Sequence, residues 1–254
     1  PKYGYGKRFN PCIDCHAFMM KTAKKLLIKE GADFIITGEV LGQRPMSQNK
    51  ESLKNVLELS DDDGLILRPM SAKLLPPTKP EINGWVDREK LLDIKGRDRK
   101  RQLALAREFG FKEYASPGGG CLLTDIYFSE KLRDFIKYQP LRAEDVALLK
   151  VGRHFRLEHG AKLLLGRDER ENEILQSIDN DNFDNLFLGD DLPAPYGKIS
   201  KNASHEDKIL ASKIALSYTK IDRNKPHGVL VNDEIYEVCA GDAKEISKRY
   251  AVGI

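Results

Sequence analysis

Three cysteines are the side chains of this 254-residue chain best suited to chemistry: Cys12 and Cys15, spaced as C-x-x-C, and Cys121, which follows three consecutive glycines. A C-x-x-C pair forms a disulfide switch, half of a zinc site, part of an iron–sulfur site, or nothing at all. Zinc needs a fourth ligand, and His16 is a poor one because it adjoins Cys15 in sequence. In ASPGGGCLLTD (residues 115–125) the glycines leave backbone N–H groups unshielded and let the chain turn tightly around a ligand. Amide dipoles there favour a thiolate; the bland alternative is a flexible loop ending in a buried cysteine. Cys239, in the strand-like EVCAG, reads as an ordinary core cysteine.

Composition limits the setting. Hydrophobic residues make up 41% and charged residues 32%, enough to bury a core in one large domain or two ordinary ones. No apolar run approaches the length of a membrane span, and the polar, aromatic N-terminus lacks the apolar centre of a signal peptide. We therefore expect a cytoplasmic protein with no membrane partner, whose thiols stay reduced. The net charge of +3 is uneven. Residues 140–254 carry 17 Lys+Arg and 20 Asp+Glu, a net of −3, which leaves +6 on residues 1–139 together with three of the four cysteines. A basic surface beside a reactive site suits a polyanion such as RNA, although solvated helix faces explain any single cluster.

The elements that must position these residues follow from periodicity. Residues 16–30 have helical apolar spacing and stop at Gly31. DFIIT (33–37) and GLILRPM (64–70) read as buried strands, with a helix from about Ser47 to Leu59 between them. A long charged helix is expected within 87–109. This alternation predicts an α/β domain with a mainly parallel sheet over residues 1–140, and places TGEVLGQ at the carboxyl end of a strand, where such sheets bind ligands. From about 140 the texture changes. Two short strand-like runs (FRL and KLLLG), a helix at 168–178, an Asn/Asp/Gly/Pro-rich loop over 179–207, a helix at 206–219 and strands GVLVN and EIYEVCA predict a smaller α+β domain over 141–254.

Taken in order, several segments resemble the PP-loop ATP pyrophosphatases that insert sulfur into tRNA. ITGEVLGQRPMSQ (36–48) and ILRPMSAKLLPPTKPE (66–81) resemble the ThiI-type enzymes, and NPCIDCHAFM (10–19) resembles the MnmA-type tRNA thiouridylases. The resemblance implies an adenine-nucleotide alpha-hydrolase-like fold, ATP with Mg2+, and a tRNA substrate. ATP would adenylate a uridine carbonyl oxygen, and a sulfur nucleophile would displace AMP. It implies nucleotide contacts from Gly38, Glu39, Gly42, Gln43, Ser47, Gln48 and Arg68, with Lys79 a further phosphate contact. Glu39 would touch the nucleotide or a loop amide, and Ser47 and Gln48 would do so or cap the next helix. It also implies a 4Fe–4S cluster held by Cys12, Cys15 and Cys121, with one iron open to sulfide. Persulfide or disulfide chemistry without a cluster, and zinc, stay open beside it. The sulfur would come from a donor protein or as sulfide, and a homodimer is among the expected assemblies.

One departure stands out. The family's S-G-G-x-D-S phosphate loop occurs nowhere in these residues, and the chain opens at Pro1 with PKYGYGKRFNPC and no Met. The expectation is an incomplete chain whose longer form carries that loop. In the second part, V-G-R (151–153) and G-R-x-x-x-E-N-E (166–173) resemble the RNA-binding module of NFACT proteins, which implies that Arg153 and Arg167 grip RNA phosphates from glycine-flanked turns. The net −3 speaks against a broad electrostatic footprint. The leading expectation is an ATP-dependent tRNA sulfurtransferase. The alternatives are a non-catalytic RNA-binding metal-cluster protein and an enzyme adenylating a small molecule.

Overall fold

The structure, a computed structural model, describes residues 1–114, 121–189 and 193–253. They fall into two units, Pro1–Cys121 and Leu122–Ile254.

In the first unit, α1 (Cys12–Glu30) begins four residues earlier than its apolar spacing suggested, so Cys12 and Cys15 lie in its first turn. Gly31 ends it in the left-handed region (φ 62°), where its N–H caps the Leu27 carbonyl. Ile13 and Met20, two turns apart, face Val56 and Ile66 in a small core. β1 (Ile35–Ile36) and β2 (Ile66–Leu67) pair in parallel, with α2 (Lys50–Leu59) as the connection. Asn49 caps α2, its side chain accepting from the Ser52 N–H at 2.8 Å. Ser47 and Gln48 therefore do not serve as that cap. α3 (Lys79–Ile82) starts in a Thr78–Glu81 capping box. α4 (Lys100–Glu108) is shorter than expected, because a 3₁₀ turn at Arg88–Lys90 and a loop through Gly96 (φ 82°) precede it.

The second unit opens with α5 (Ile126–Tyr138), so its start lies ahead of the boundary near residue 140 read from the texture change. The apolar stripe Phe128, Leu132 and Phe135 buries α5, and its Asp134 reaches Arg156 and Lys162. After α6 (Asp145–Lys150) come β3 (Arg153–Arg156), β4 (Lys162–Leu165), α7 (Glu169–Ser177), β5 (Phe183–Phe187), β6 (Gly197–Ser200), α8 (His205–Leu216), β7 (His227–Val231), β8 (Glu234–Val238), α9 (Ala243–Ser247) and β9 (Ala251–Val252). The strands form one antiparallel sheet in the order β8-β7-β5-β6-β4-β3-β9. Leu163, Leu165, Leu186, Ile199, Val229 and Val231 from the sheet and Ala211, Ile214 and Ala215 from α8 make its core. The expected loop over 179–207 thus holds two central strands. Cys239 is only half-buried, its thiol 3.5 Å from the Asn224 carbonyl oxygen, and does not join that core.

A charged group of side chains sits under β3. Lys162 is 1% exposed and donates to Asp134 at 2.7 Å, and Arg156 donates to the same carboxylate at 2.8 Å. His154, also 1% exposed, donates from Nε2 to the Val151 carbonyl at 2.8 Å, leaving Nδ1 without a partner. Burial, then Lys162 and Lys131, drives the His154 pKa well below its ordinary 6.5. The unfolded chain therefore binds a proton that the fold refuses. The second unit should lose stability as pH falls below about 6.5, and His154→Leu should flatten that slope. Hydrogen exchange of the β3 and β4 amides between pH 7.5 and 5 checks this; equal slopes in both proteins would refute it.

Candidate functional site

In the first unit the TGEVLGQ segment is pinned by its neighbours. The Leu41 N–H donates to Ser71 Oγ (2.9 Å), Ser71 donates to the Ile94 carbonyl (2.7 Å), and the Gly96 N–H donates to the Leu41 carbonyl (2.7 Å). Gly42 holds φ 76°, a conformation that favours glycine, and its N–H donates to the Gln48 carbonyl at 2.7 Å. The result is an open cleft of about 610 Å³, lined by His16, Thr37, Gly38, Glu39, Gln43 and Gln48 together with Arg44, Arg97 and Arg99.

Glu39 is buried (6% exposed) and its oxygens are taken. Oε1 accepts from His16 Nδ1 at 2.7 Å, and Oε2 accepts from Arg68 Nε at 2.8 Å and from Thr37 Oγ1 at 3.3 Å. Burial pushes its carboxyl up, but the His16 hydrogen bond and the Arg68 guanidinium outweigh that and hold it below the ordinary carboxylate range. Glu39 is thus committed to side chains, neither to a loop amide nor to a ligand. Arg68, 5% exposed, is its counter-ion and not a surface phosphate contact.

Three buried polar atoms near this segment have no partner: Ser47 Oγ, Gln48 Oε1 and Arg68 Nη2. Unpaired buried groups are costly, and of these three residues only Gln48 lines the cleft. Gln48 lines the cleft with its acceptor unpaired, and three guanidinium groups stand by for phosphates. Three guanidinium groups and an unpaired amide oxygen suit an anionic, hydrogen-bonding ligand. The lining does not form a magnesium site, since its single carboxylate, Glu39, is already paired.

Cys15 immediately precedes His16 of this lining. Its thiol pKa is raised by burial first, then by the neighbouring Cys121 and Cys12, so the three sulfurs lie within electrostatic reach of one another. Cys12 is half-buried, and Cys15 and Cys121 are exposed. This donor set suits a thiolate-held cluster, although among the described residues no three His, Cys, Asp or Glu side chains already stand close enough to hold a metal ion. The glycines at 118–120 lie outside the described residues.

The second unit has its own cleft, about 640 Å³, which gathers Arg153 and Arg167 with Asn172, Phe187, Tyr196 and Tyr218. Arg153 leaves β3, donates to the Gly166 carbonyl at 2.9 Å and lies over the Tyr218 ring at 4.6 Å. Arg167 follows β4 and is tied to Glu171 through its N–H (2.9 Å) and Nη1 (3.2 Å). Asn172 joins α7 to the opposite wall: it donates to the Ala194 carbonyl (3.1 Å) and accepts from the Tyr196 N–H (2.9 Å). A methyl group on Gly166 would land on Asn172 Oδ1. Gly166→Ala should therefore break both bonds and open this wall, at a cost of about 2 kcal/mol. Faster exchange of the Tyr196 amide is the expected readout, and unchanged exchange would refute it.

The second unit thus pairs an antiparallel sheet with an arginine- and tyrosine-lined cleft. Residues 152–250 match the family model described as the NFACT protein RNA binding domain. No curated protein matches the chain. Among solved structures, the C-terminal of the fibronectin/fibrinogen-binding protein from Streptococcus suis aligns at 12% identity and a TM-score of 0.34, over 94% of this chain and 90% of that chain. No helix among the described residues is long and apolar enough to cross a membrane.

Sequence reasoning missed Arg44, Arg97 and Arg99, and in the second cleft Asn172 and Tyr218. The basic run KGRDRKR was a signal for Arg97 and Arg99, and E-N-E was one for Asn172.

Proposed function

We propose that the protein is an ATP-dependent tRNA sulfurtransferase of the cytoplasm, in which the second unit holds RNA and the first activates a uridine and admits sulfur. The observation that carries this reading is the set of three neighbouring thiols beside a nucleotide-sized cleft built from TGEVLGQ. The RNA-binding family match supplies the substrate class.

In this reading Gly38 lets adenosine approach the backbone, Gln43 and Gln48 meet the base, and Arg44, Arg97 and Arg99 neutralise phosphates. Glu39 positions His16 and Arg68 without touching the nucleotide. The uridine oxygen attacks the α-phosphorus and pyrophosphate leaves. Sulfide, free or released as such by a donor protein, then adds to the carbon that bears the adenylated oxygen, and AMP departs with that oxygen. Adenylation is needed because a bare carbonyl oxygen is a poor leaving group. Cys12, Cys15 and Cys121 would hold a 4Fe–4S cluster, which, when bound, supplies an open iron for a sulfur atom.

The test is nucleoside mass spectrometry on tRNA from cells lacking the gene. One thionucleoside should disappear, return with the wild-type gene, and stay absent with Cys15→Ala. A complete thionucleoside profile in the deletion strain would overturn the activity. If tRNA binding persisted in that case, the protein would be an RNA-binding metal protein; if it were absent as well, a small-molecule adenylating enzyme.

A further inference from the structure

A second cleft in the same unit, about 320 Å³, lies on the other side of Arg167. It is lined by Lys131, Lys150, Arg167, Asp125, Tyr127 and Gly253, among others. Three cations line it with one carboxylate, and a second, Glu171, is paired to Arg167 at 3.2 Å. The lining carboxylate, Asp125, already caps α5 by accepting from the Phe128 N–H at 2.8 Å. Lys131 is 5% exposed, and its ammonium donates to the Gly152 carbonyl at 3.1 Å. An ammonium has three donors, and an anion is the natural partner for the remainder. Burial, then the Arg167 charge, holds the Lys131 pKa down to about 8. A bound anion would relieve that. Gly253 lets this floor form, since a Cβ there would come within 2.6 Å of the Tyr127 carbonyl and 2.9 Å of Lys131 Cγ.

The neighbouring cleft has a different character. Its aromatic walls, Phe187, Tyr196 and Tyr218, are joined by Asp168, Glu169 and Glu173, which oppose a phosphate but tolerate a neutral base. The Arg153 guanidinium carbon lies 4.6 Å from the Tyr218 ring centre and the Lys244 ammonium 5.5 Å from it, and guanidinium and aromatic planes are surfaces on which bases stack. Arg167 lines both clefts. We propose that the pair seats one nucleotide of single-stranded RNA, with its backbone phosphate at Lys131, Lys150 and Arg167 and its base against Tyr218 in the aromatic cleft. This deepens the RNA reading of the second unit and rests on it. It also reconciles RNA binding with the net −3 of residues 140–254, because two of that segment's cations, Lys150 and Arg167, join Lys131 at one phosphate position.

The test uses the full chain, a labelled ten-uridine strand, and the same strand with every base removed, in fluorescence anisotropy over a salt series. Lys150→Ala and Arg167→Ala, both at exposed positions, should weaken both strands and lower the salt slope by about 0.7 for the lost phosphate contact. Tyr218→Ala should weaken the uridine strand roughly tenfold and leave the abasic strand unchanged. Tyr218 also packs on the core, so where its variant melts early the two exposed cations decide. If the wild type binds the uridine strand while Lys150→Ala and Arg167→Ala keep its affinity and slope, the nucleotide seat is wrong and the RNA reading stands. If the wild type binds neither this strand nor tRNA, the RNA reading fails and the seat with it.

Discussion

Glu39→Ala should unfold the first unit at a denaturant concentration where the wild type is intact. The substitution strips the counter-ion from Arg68, which is 5% exposed, and the hydrogen-bond acceptor from His16. Removing one partner of a buried ion pair costs about 3–5 kcal/mol, because the remaining charge stays in a low-dielectric site without compensation. That is a large part of the stability of a unit this size. The loss should be recovered in part by the double change Glu39→Ala with Arg68→Met, which removes the orphaned charge. Trp85, the single tryptophan of the chain, stacks with Phe34 at 6.4 Å in this unit and reports its unfolding alone. The pH dependence has a definite sign: Glu39 titrates below its ordinary 4.5 in the fold, so its contribution is present above about 4.5 and fades as pH falls beneath it. A Glu39→Ala protein that melts with the wild type would show that the pair contributes nothing.

The second large effect concerns the sulfurs. Cys12→Ala, Cys15→Ala and Cys121→Ala should each abolish iron and acid-labile sulfide in anaerobically purified protein, while Cys239→Ala retains both. A three-thiolate site has no spare ligand, so each loss is all or nothing. Cys239 lies in the other unit, 3.5 Å from the Asn224 carbonyl oxygen, and has no part in it. In the metal-free protein burial, then the neighbouring Cys121 and Cys12, raises the Cys15 thiol pKa. Cys121→Ala should therefore also speed iodoacetamide alkylation of Cys15 in the metal-free protein, by removing one of those neighbours. Iron that survives the loss of Cys121 would sink the three-ligand site.

Much of this was readable in the residues. α1, α2, α7, α8 and the β7–β8 hairpin follow apolar periodicity, and the hairpin turn sits at Asn232, with φ 54°. Contiguous motif residues such as Gly38, Glu39, Gln43 and Gln48 gather at one cleft because the motif itself is the loop. What was not legible depends on partners distant in the chain. β5 and β6 hide in an Asn- and Asp-rich stretch, where Leu186 and Ile199 find their places only by pairing with strands on either side. Arg97 and Arg99 reach the first cleft because Lys95 bridges to Leu41, a link between loops far apart in sequence. The boundary was misplaced because α5 carries as many charges as a surface helix, yet buries Lys131 and pairs Asp134 inside the second unit.

The order of the large sheet has one more consequence. Its two outer strands are β8 and β9. β9 is two residues long, too short to template another strand, and β8 exposes Glu234 and Glu237 on either side of the outward-facing Ile235. Short edges and flanking carboxylates are what keep unpaired strand edges from zipping onto one another. Glu237, beside Ile235 on β8, thus places a charge on the longer of the two outer strands, where it disfavours pairing with a second copy.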